Sequence, residues 1–306
     1  MQAKTSVPSP TGYAGIVTKP PPWSRLVVFD VLFNNLASGL FLVAAIGEFI
    51  PPGTFAAVVT WAYPVALVLL LADLACLVLD LGDSLRFHHM LRVFKPSSPM
   101  SLGTWSLTIF ALLLTVIVAV EFVLAVGWVL GDSAAAWWIR TLAVVLGLPF
   151  AFLSAAYKGV LFSTTAQPGW KDARWLGAYL VNSSVTLGAG ELLVIAVLMG
   201  KQAAVDGLRP AVSLLILLNL IVLALLVADI HPLLSRLYDR RTFGAAGLFF
   251  LLTWLVIPAG ALLAGTVPAT ATITIASLIL ASLGTRYAIV RLPHDATRRG
   301  VAAEPQ

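Results

Sequence analysis

Charge is what this chain has least of. Asp, Glu, Lys and Arg make up 11% of its 306 residues, less than half the roughly 25% of an ordinary soluble domain. With 59% hydrophobic residues and a mean hydropathy of +0.96, no stretch has the composition of a soluble domain. Its apolar runs are continuous rather than alternating, which excludes the strands of an outer-membrane barrel. What remains is an all-α integral membrane protein built as an eight-transmembrane-helix bundle. Cysteine is nearly absent: Cys76 is alone and lies inside an apolar run. An internal disulfide, a Cys-ligated iron–sulfur cluster and a zinc finger are therefore excluded within this chain. Histidine is scarce too. Two b-type haems need four axial ligands inside helices, and of His88, His89, His231 and His294 only His231 is close enough to a span. No haem and no metal site are expected, so any metal centre that feeds electrons to this chain belongs to a partner subunit. No nucleic-acid partner is expected.

Apolar segments of bilayer length fall at about 26–49, 55–80, 104–130, 134–158, 175–199, 209–231, 243–265 and 268–292. Pro51, Pro52 and Gly53 break the first hairpin. Ser98 before Pro99 suits an N-cap and first-turn pair, Asp132 with Ser133 can cap the fourth helix, Gly200 can close the fifth, and Thr266 with Pro268 can open the eighth. Residues 1–22 hold five prolines and no apolar core, and read as a flexible tail rather than a signal peptide. The membrane domain then covers 23–292, with a C-terminal tail at 293–306.

With eight spans, both termini share a side with the 81–103, 159–174 and 232–242 connections. Sixteen of the nineteen Lys and Arg lie there, against Arg140, Lys201 and Arg209 opposite. By the positive-inside rule the basic face is cytoplasmic. The most polar connection is Asp80–Gly103, DLGDSLRFHHMLRVFKPSSPMSLG, which carries Arg86, His88, His89, Arg92 and Lys95. It reads either as an amphipathic connector held by lipid headgroups or as a docking surface.

Ionisable side chains inside a span cost about 2.5–3.5 kcal/mol each on insertion scales, so each asks for a reason. Towards the basic face lie Asp30, Asn34, Asp73, Asp80, Tyr157, Lys158, Asn182, Asp229, His231 and Arg286; towards the other lie Glu121, Arg140 and Glu191. A quinone headgroup offers two carbonyl acceptors and takes up two protons on reduction, so its pocket needs donors and a titratable group. Asn34, Tyr157 and Lys158 are the candidate donors, and Asp30, Asp80 and His231 the candidate proton relays. The plain alternative is that Asp80 caps its helix and Lys158 snorkels to the headgroups. Glu121 and Arg140 lie at similar depth on consecutive helices, as a buried ion pair or as the start of a proton path through Glu191, Asp73 and Asp229. The Ser, Thr and Gly residues of the fifth span suit close helix packing. Trp61, Trp105, Trp137, Trp138, Trp170 and Trp175 read as interfacial belts.

Five patterns occur in a fixed order. They are FDVLFNNLASGLFL (29–42), the DLG loop leading to SPMS (80–101), YKGVLFS (157–163), PGW (168–170) and GTRYAIV (284–290). Together they resemble the NrfD/PsrC family, the quinone-handling membrane subunits of bacterial respiratory complexes such as polysulfide reductase. The resemblance implies that Tyr157 faces a quinone ring, menaquinone or another quinone, with Asp30 and Asn34 on the first-helix wall. It also implies that the basic loop and Arg286 lie near a ferredoxin-like iron–sulfur subunit, and that a further catalytic subunit, molybdopterin-dependent or multihaem, completes the complex. Such a chain is a multi-pass subunit of the bacterial cytoplasmic membrane, with proton translocation as a further expectation, and is no enzyme by itself. The family's docking face is periplasmic, which opposes the charge rule, and both orientations stay open. Asn34 and Asn35 stand where glycines are expected. The first span also lacks the histidine some members set against the quinone, so proton delivery falls to Asp30. A proton-coupled secondary transporter and a non-catalytic anchor are the rival readings.

Overall fold

The structure is a computed structural model that describes residues 25–50, 53–126 and 134–299. Eight helices are long and apolar enough to cross a membrane: α1 (Leu26–Glu48), α2 (Ala56–Leu79), α3 (Pro99–Ala125), α4 (Ala134–Ser163), α5 (Leu176–Leu198), α6 (Gln202–Leu237), α7 (Arg240–Ala264) and α8 (Pro268–Arg298). No strand occurs among the described residues. The chain is a multi-pass integral membrane protein, as its composition requires.

Burial is uneven, and the unevenness gives the architecture. In α1 and α5, 78% and 67% of the most apolar stretch is buried, whereas α2, α3, α4, α6 and α7 bury a third or less. The first and fifth helices therefore form a spine. The α1 helix packs on α2, α4 and α5, while α5 packs on α4, α6 and α8, and α7 lies against α8. Lipid tails are as apolar as leucine, so the spine must be held by close approach and by hydrogen bonds rather than by hydrophobic exclusion. Its sequences supply both. A Cβ on Gly39 of α1 would sit 1.9 Å from the Ser184 carbonyl oxygen of α5, and one on Gly188 would sit 2.1 Å from the Gly39 backbone. Beside this crossing Ser184 Oγ donates to the Asn35 carbonyl (2.8 Å) and shares a hydrogen bond with Ser38 Oγ (3.1 Å), and Asn35 Nδ2 donates to the Leu180 carbonyl (2.8 Å). The asparagines that replace the expected glycines thus bind helices together.

Gly39→Ala is expected to lower stability in detergent by about 2–3 kcal/mol, the range for overpacking a filled contact. Gly207→Ala serves as the control, because its Cβ would meet only Phe55 at an ordinary 3.6 Å. Equal unfolding midpoints for the two variants would contradict the crossing.

Several element ends differ from the sequence reading. The third helix starts at Pro99 rather than 104 because Ser98 caps it, its side chain accepting from the Ser101 amide. The fourth continues to Ser163, and α6 runs from Gln202 to Leu237, with Pro210 and Pro232 inside it. The last helix extends past 292 to Arg298, so the tail boundary moves. Leu292, Pro293 and Ala296 are buried, and Asp295 accepts from Tyr238 Oη at 2.7 Å. Gly200, at φ 64°, closes α5 in the left-handed conformation that glycine adopts freely. Trp170 is not interfacial. It is fully buried, stacks on Phe162 and donates its indole N–H to the Ile289 carbonyl at 2.7 Å. Within α7 a π turn spans Leu252–Val256, one turn before Pro258. Proline has no N–H to donate. In the five-residue register of the π turn, in which the Ile257 amide donates to the Leu252 carbonyl, the carbonyl left over is that of Thr253, and Ser277 Oγ donates to it at 2.8 Å. The proposed Asp132–Ser133 cap, the Pro51–Pro52 break and the proline-rich tail lie outside the described residues.

Candidate functional site

Towards the basic end of α1–α4, side chains from three helices close on one ammonium group. Lys158 Nζ of α4 stands 2.8 Å from Asp30 Oδ1 of α1 and 2.9 Å from Asp73 Oδ1 of α2, and also donates to the Asp30 carbonyl at 3.1 Å. The other Asp73 oxygen accepts from Asn34 Nδ2 at 3.0 Å, and the same amide reaches Ser154 Oγ at 2.8 Å. Helical spacing explains the set. Asp30 and Asn34 are one turn apart on α1, and Ser154 and Lys158 one turn apart on α4, so each pair shares a face. The side chains of Lys158, Asp30 and Asp73 are 4%, 7% and 0% exposed. Two carboxyls face one lysine, so the set becomes neutral when one carboxyl carries a proton. That is the arrangement of a proton acceptor and donor kept away from water. Lys158 therefore does not snorkel, and Asp73 belongs to this site rather than to a distant path.

Tyr157 borders the cluster, its ring centroid 5.6 Å from Lys158 Nζ. The ring lies on Gly103 at the start of α3, where a Cβ would come within 2.0 Å of it. Gly103 and Ser154 were not singled out in the sequence. A glycine one turn inside a helix and a serine on an apolar stretch carry no signal until the neighbouring helix is in place.

A second cluster occupies the other end of the same four helices. Arg140 of α4 binds Glu48 of α1 through both carboxylate oxygens (Nη1 to Oε2 3.0 Å, Nη2 to Oε1 2.6 Å) and Glu121 of α3 through Nε at 3.0 Å and Nη2 at 2.8 Å. Tyr63 Oη of α2 donates to Glu48 Oε1 at 2.7 Å, and the guanidinium stands 5.5 Å from that tyrosine's centroid. The expected Glu121–Arg140 contact is present, but Glu48 was missed: at the last position of its helix it reads as an ordinary interfacial residue. The spacing held the signal. Asp30 and Glu48 are eighteen residues apart, as are Arg140 and Lys158. Eighteen residues make five turns, about 27 Å, so each helix presents the same face at both ends. A cavity of about 800 Å³, walled by Gly53, Thr60, Leu124 and Trp137 among others, reaches Glu48, Glu121 and Arg140.

Between the clusters the bundle is apolar. Phe41 is fully buried, with its centroid 5.6 Å from Tyr63 and 5.0 Å from Phe110, and it fills the space beside Gly147, where a Cβ would lie 2.6 Å away. Hydrogen bonds end at Asn34 and Ser154 on one side and at Tyr63 on the other. Among the described residues no continuous series of side-chain bonds joins Arg140 to Asp73.

Other candidates fall elsewhere. Asp80 caps α2, about 10 Å beyond Asp73 towards the loop at 1.5 Å per residue. Asp229 and His231 lie on α6, which packs on α5 and α7 and not beside α1–α4. His231 is exposed and stands edge-on to Phe243 at 5.8 Å. It takes no part in the Asp30 cluster, because the spine helices intervene. Glu191 lies on α5 with its Oε2 buried and unpartnered, and it makes no ion pair with either cluster among the described residues. Arg286 is 2% exposed, within the α5–α8 half, and so cannot present itself to a docking partner. The basic loop itself is open to solvent. Arg86, His88, His89, Arg92 and Lys95 are exposed around a 3-10 helix (Ser84–Leu91), beside exposed Leu85, Phe87, Val93 and Phe94.

Among curated proteins the comparison finds no match. A family model described as polysulphide reductase, NrfD, matches residues 17–290; with nearly the whole chain covered, this protein belongs to the NrfD family.

Proposed function

We propose that this chain is the quinone- or quinol-binding membrane subunit of a respiratory oxidoreductase complex in a bacterial cytoplasmic membrane. It passes electrons between the menaquinone pool, or another quinone, and a ferredoxin-like iron–sulfur subunit docked on the basic loop. A further molybdopterin-dependent or multihaem subunit acts at the far end. One observation carries the reading: Asp30, Asn34, Asp73 and Lys158 form a buried cluster of ion pairs and hydrogen bonds across three membrane spans, with Tyr157 at its edge.

A bound quinone supplies two-electron, two-proton redox chemistry. The side chains divide the remaining work. Tyr157 is the donor towards a carbonyl acceptor at the edge of the cluster; the three N–H groups of Lys158 are already taken by Asp30 and Asp73. Asp30 and Asp73 hold or release one proton, the set passing from neutral to one negative charge on release, and Lys158 stabilises the charge left behind. Asn34 fixes the Asp73 carboxylate and is itself held by Ser154. Exposed Arg86, Arg92 and Lys95 next to Phe87 and Phe94 suit an acidic, partly apolar partner surface. A solute transporter would gather its polar groups at one midplane site. Here they form two sets near opposite ends, which favours the quinone reading.

Tyr157→Phe removes one donor and keeps the ring on Gly103. In the purified complex it is expected to lower quinol-dependent turnover by about 10²-fold, the lower end for a positioned acid–base group, with the subunit content unchanged. Wild-type turnover in that variant would refute the assignment.

A further inference from the structure

Arg286 is a charged side chain that neither cluster uses, and it lies deep in the other half of the molecule. It is 2% exposed, and among the described residues no carboxylate pairs with it. Its contacts are neutral. Nη1 donates to the Ser282 carbonyl at 3.1 Å and to Ser282 Oγ, Nη2 donates to Ser183 Oγ at 3.1 Å, and Nε has no partner. Tyr179 of α5 is fully buried, and its hydroxyl lies beside the guanidinium, Ser183 and Thr285 without a complete hydrogen bond to any of them. Edge-on to Tyr179, with centroids 6.5 Å apart, stands fully buried Trp254, whose indole N–H is also unpartnered. Trp254 belongs to the π turn of α7, and such turns recur at functional sites.

The chemistry of this group is one-sided. Arg Nε and the indole nitrogen only donate, and the tyrosine hydroxyl has its proton free to do so. A buried cation with no opposing charge is strongly disfavoured. A neutral carbonyl would satisfy the donors and leave the charge, and a divalent ion would overshoot it. We propose that Arg286, Tyr179 and Trp254 form a binding site for one monovalent anion that only accepts hydrogen bonds. That chemistry has two sources: a free anion, or the phosphodiester headgroup of an acidic lipid. The second has a place for its tail, since Thr285 also borders an apolar cavity of about 270 Å³ walled by Leu226, Phe250 and Ile289.

The test uses the full chain in phosphatidylcholine nanodiscs with gluconate as the only anion, then adds sodium bromide at constant ionic strength and follows the unfolding midpoint. A parallel set of discs contains phosphatidylglycerol and no bromide. The site predicts a saturable rise of a few degrees in one arm, lost in Arg286→Leu. Bromide dependence identifies a free anion, and phosphatidylglycerol dependence alone identifies a lipid headgroup. Tyr179→Phe and Trp254→Phe, which keep the charge, should each raise the half-saturating concentration at least threefold, and they decide the matter if Arg286→Leu does not fold. A response identical in all variants, or no response in either arm, overturns the proposal.

Discussion

Replacing Lys158 by methionine is expected to abolish quinol-linked turnover, by more than 100-fold, and to lower stability by about 3–5 kcal/mol, the range for breaking a buried ion pair by removing one partner. The size follows from burial. Asp30 and Asp73 lie against one ammonium at 2.8 and 2.9 Å with almost no exposure, so solvent cannot stand in for it. Two carboxyls left together must take up protons or move apart, and either change disturbs Asn34, which holds Asp73 and is itself held by Ser154. The two effects can be separated. Buried ion pairs replaced wholesale by neutral groups of similar volume are often tolerated, so Asp30→Asn, Asp73→Asn and Lys158→Met together should recover most of the lost stability. Turnover should stay lost, because no carboxyl or ammonium remains beside Tyr157 to take or give a proton. Thermal unfolding together with quinol oxidation measured on the same preparations checks both. Recovery of turnover in the triple variant would show that the cluster is only a structural brace.

The second large effect concerns the opposite end. Arg140→Leu leaves Glu48 and Glu121 facing each other without their common partner. A stability loss of about 2–3 kcal/mol is expected, less than for Lys158 because these side chains are 11–20% exposed and a cavity reaches them. Glu48→Gln with Glu121→Gln should restore it. Turnover should change less than about threefold, a shift of under 1 kcal/mol in barrier, since Phe41, Tyr63 and Phe110 part this cluster from Lys158. That outcome separates two accounts of the molecule. If protons reach the basic-end site through Glu121 and Arg140, the same variant must slow turnover in step with any proton uptake from that side. Quinol oxidation by reconstituted vesicles, recorded with an internal pH dye, reads both quantities at once.

The eight spans, their order and the Ser98 and Gly200 end signals were legible because a bilayer imposes a length on each helix and forbids unsatisfied backbone within it. Which helices would form the spine was not. That choice rests on Gly39 meeting Gly188 across two helices, and a small residue reads alike whether it faces a partner or lipid. The site was half legible. An aspartate or lysine inside a span announces itself by its desolvation, so Asp30, Asp73, Lys158, Glu121 and Arg140 stood out. The Glu121–Arg140 pair was legible from equal depth on consecutive helices, whereas the closure of Asp30 and Asp73 on Lys158 was not. Asp73 was read as a carrier between the two ends and is found paired with Lys158 beside Asp30, and Arg286 was taken for a docking residue and proves buried. Depth along a helix can be counted from the sequence, whereas rotation about its axis cannot. Glu48 shows the opposite failure. Its position at a helix end hid a bidentate partner that a search for charges five turns apart would have found.

A photoreactive azidoquinone tests the central claim most directly, applied to the complex in its membrane and followed by mapping of the labelled peptides. The account predicts labelling on α1 around Asp30–Asn34 or on α4 around Tyr157, suppressed by excess menaquinone and lost in Lys158→Met. Labelling confined to α6–α8, or labelling on α1 and α4 that excess menaquinone leaves unchanged, would contradict it.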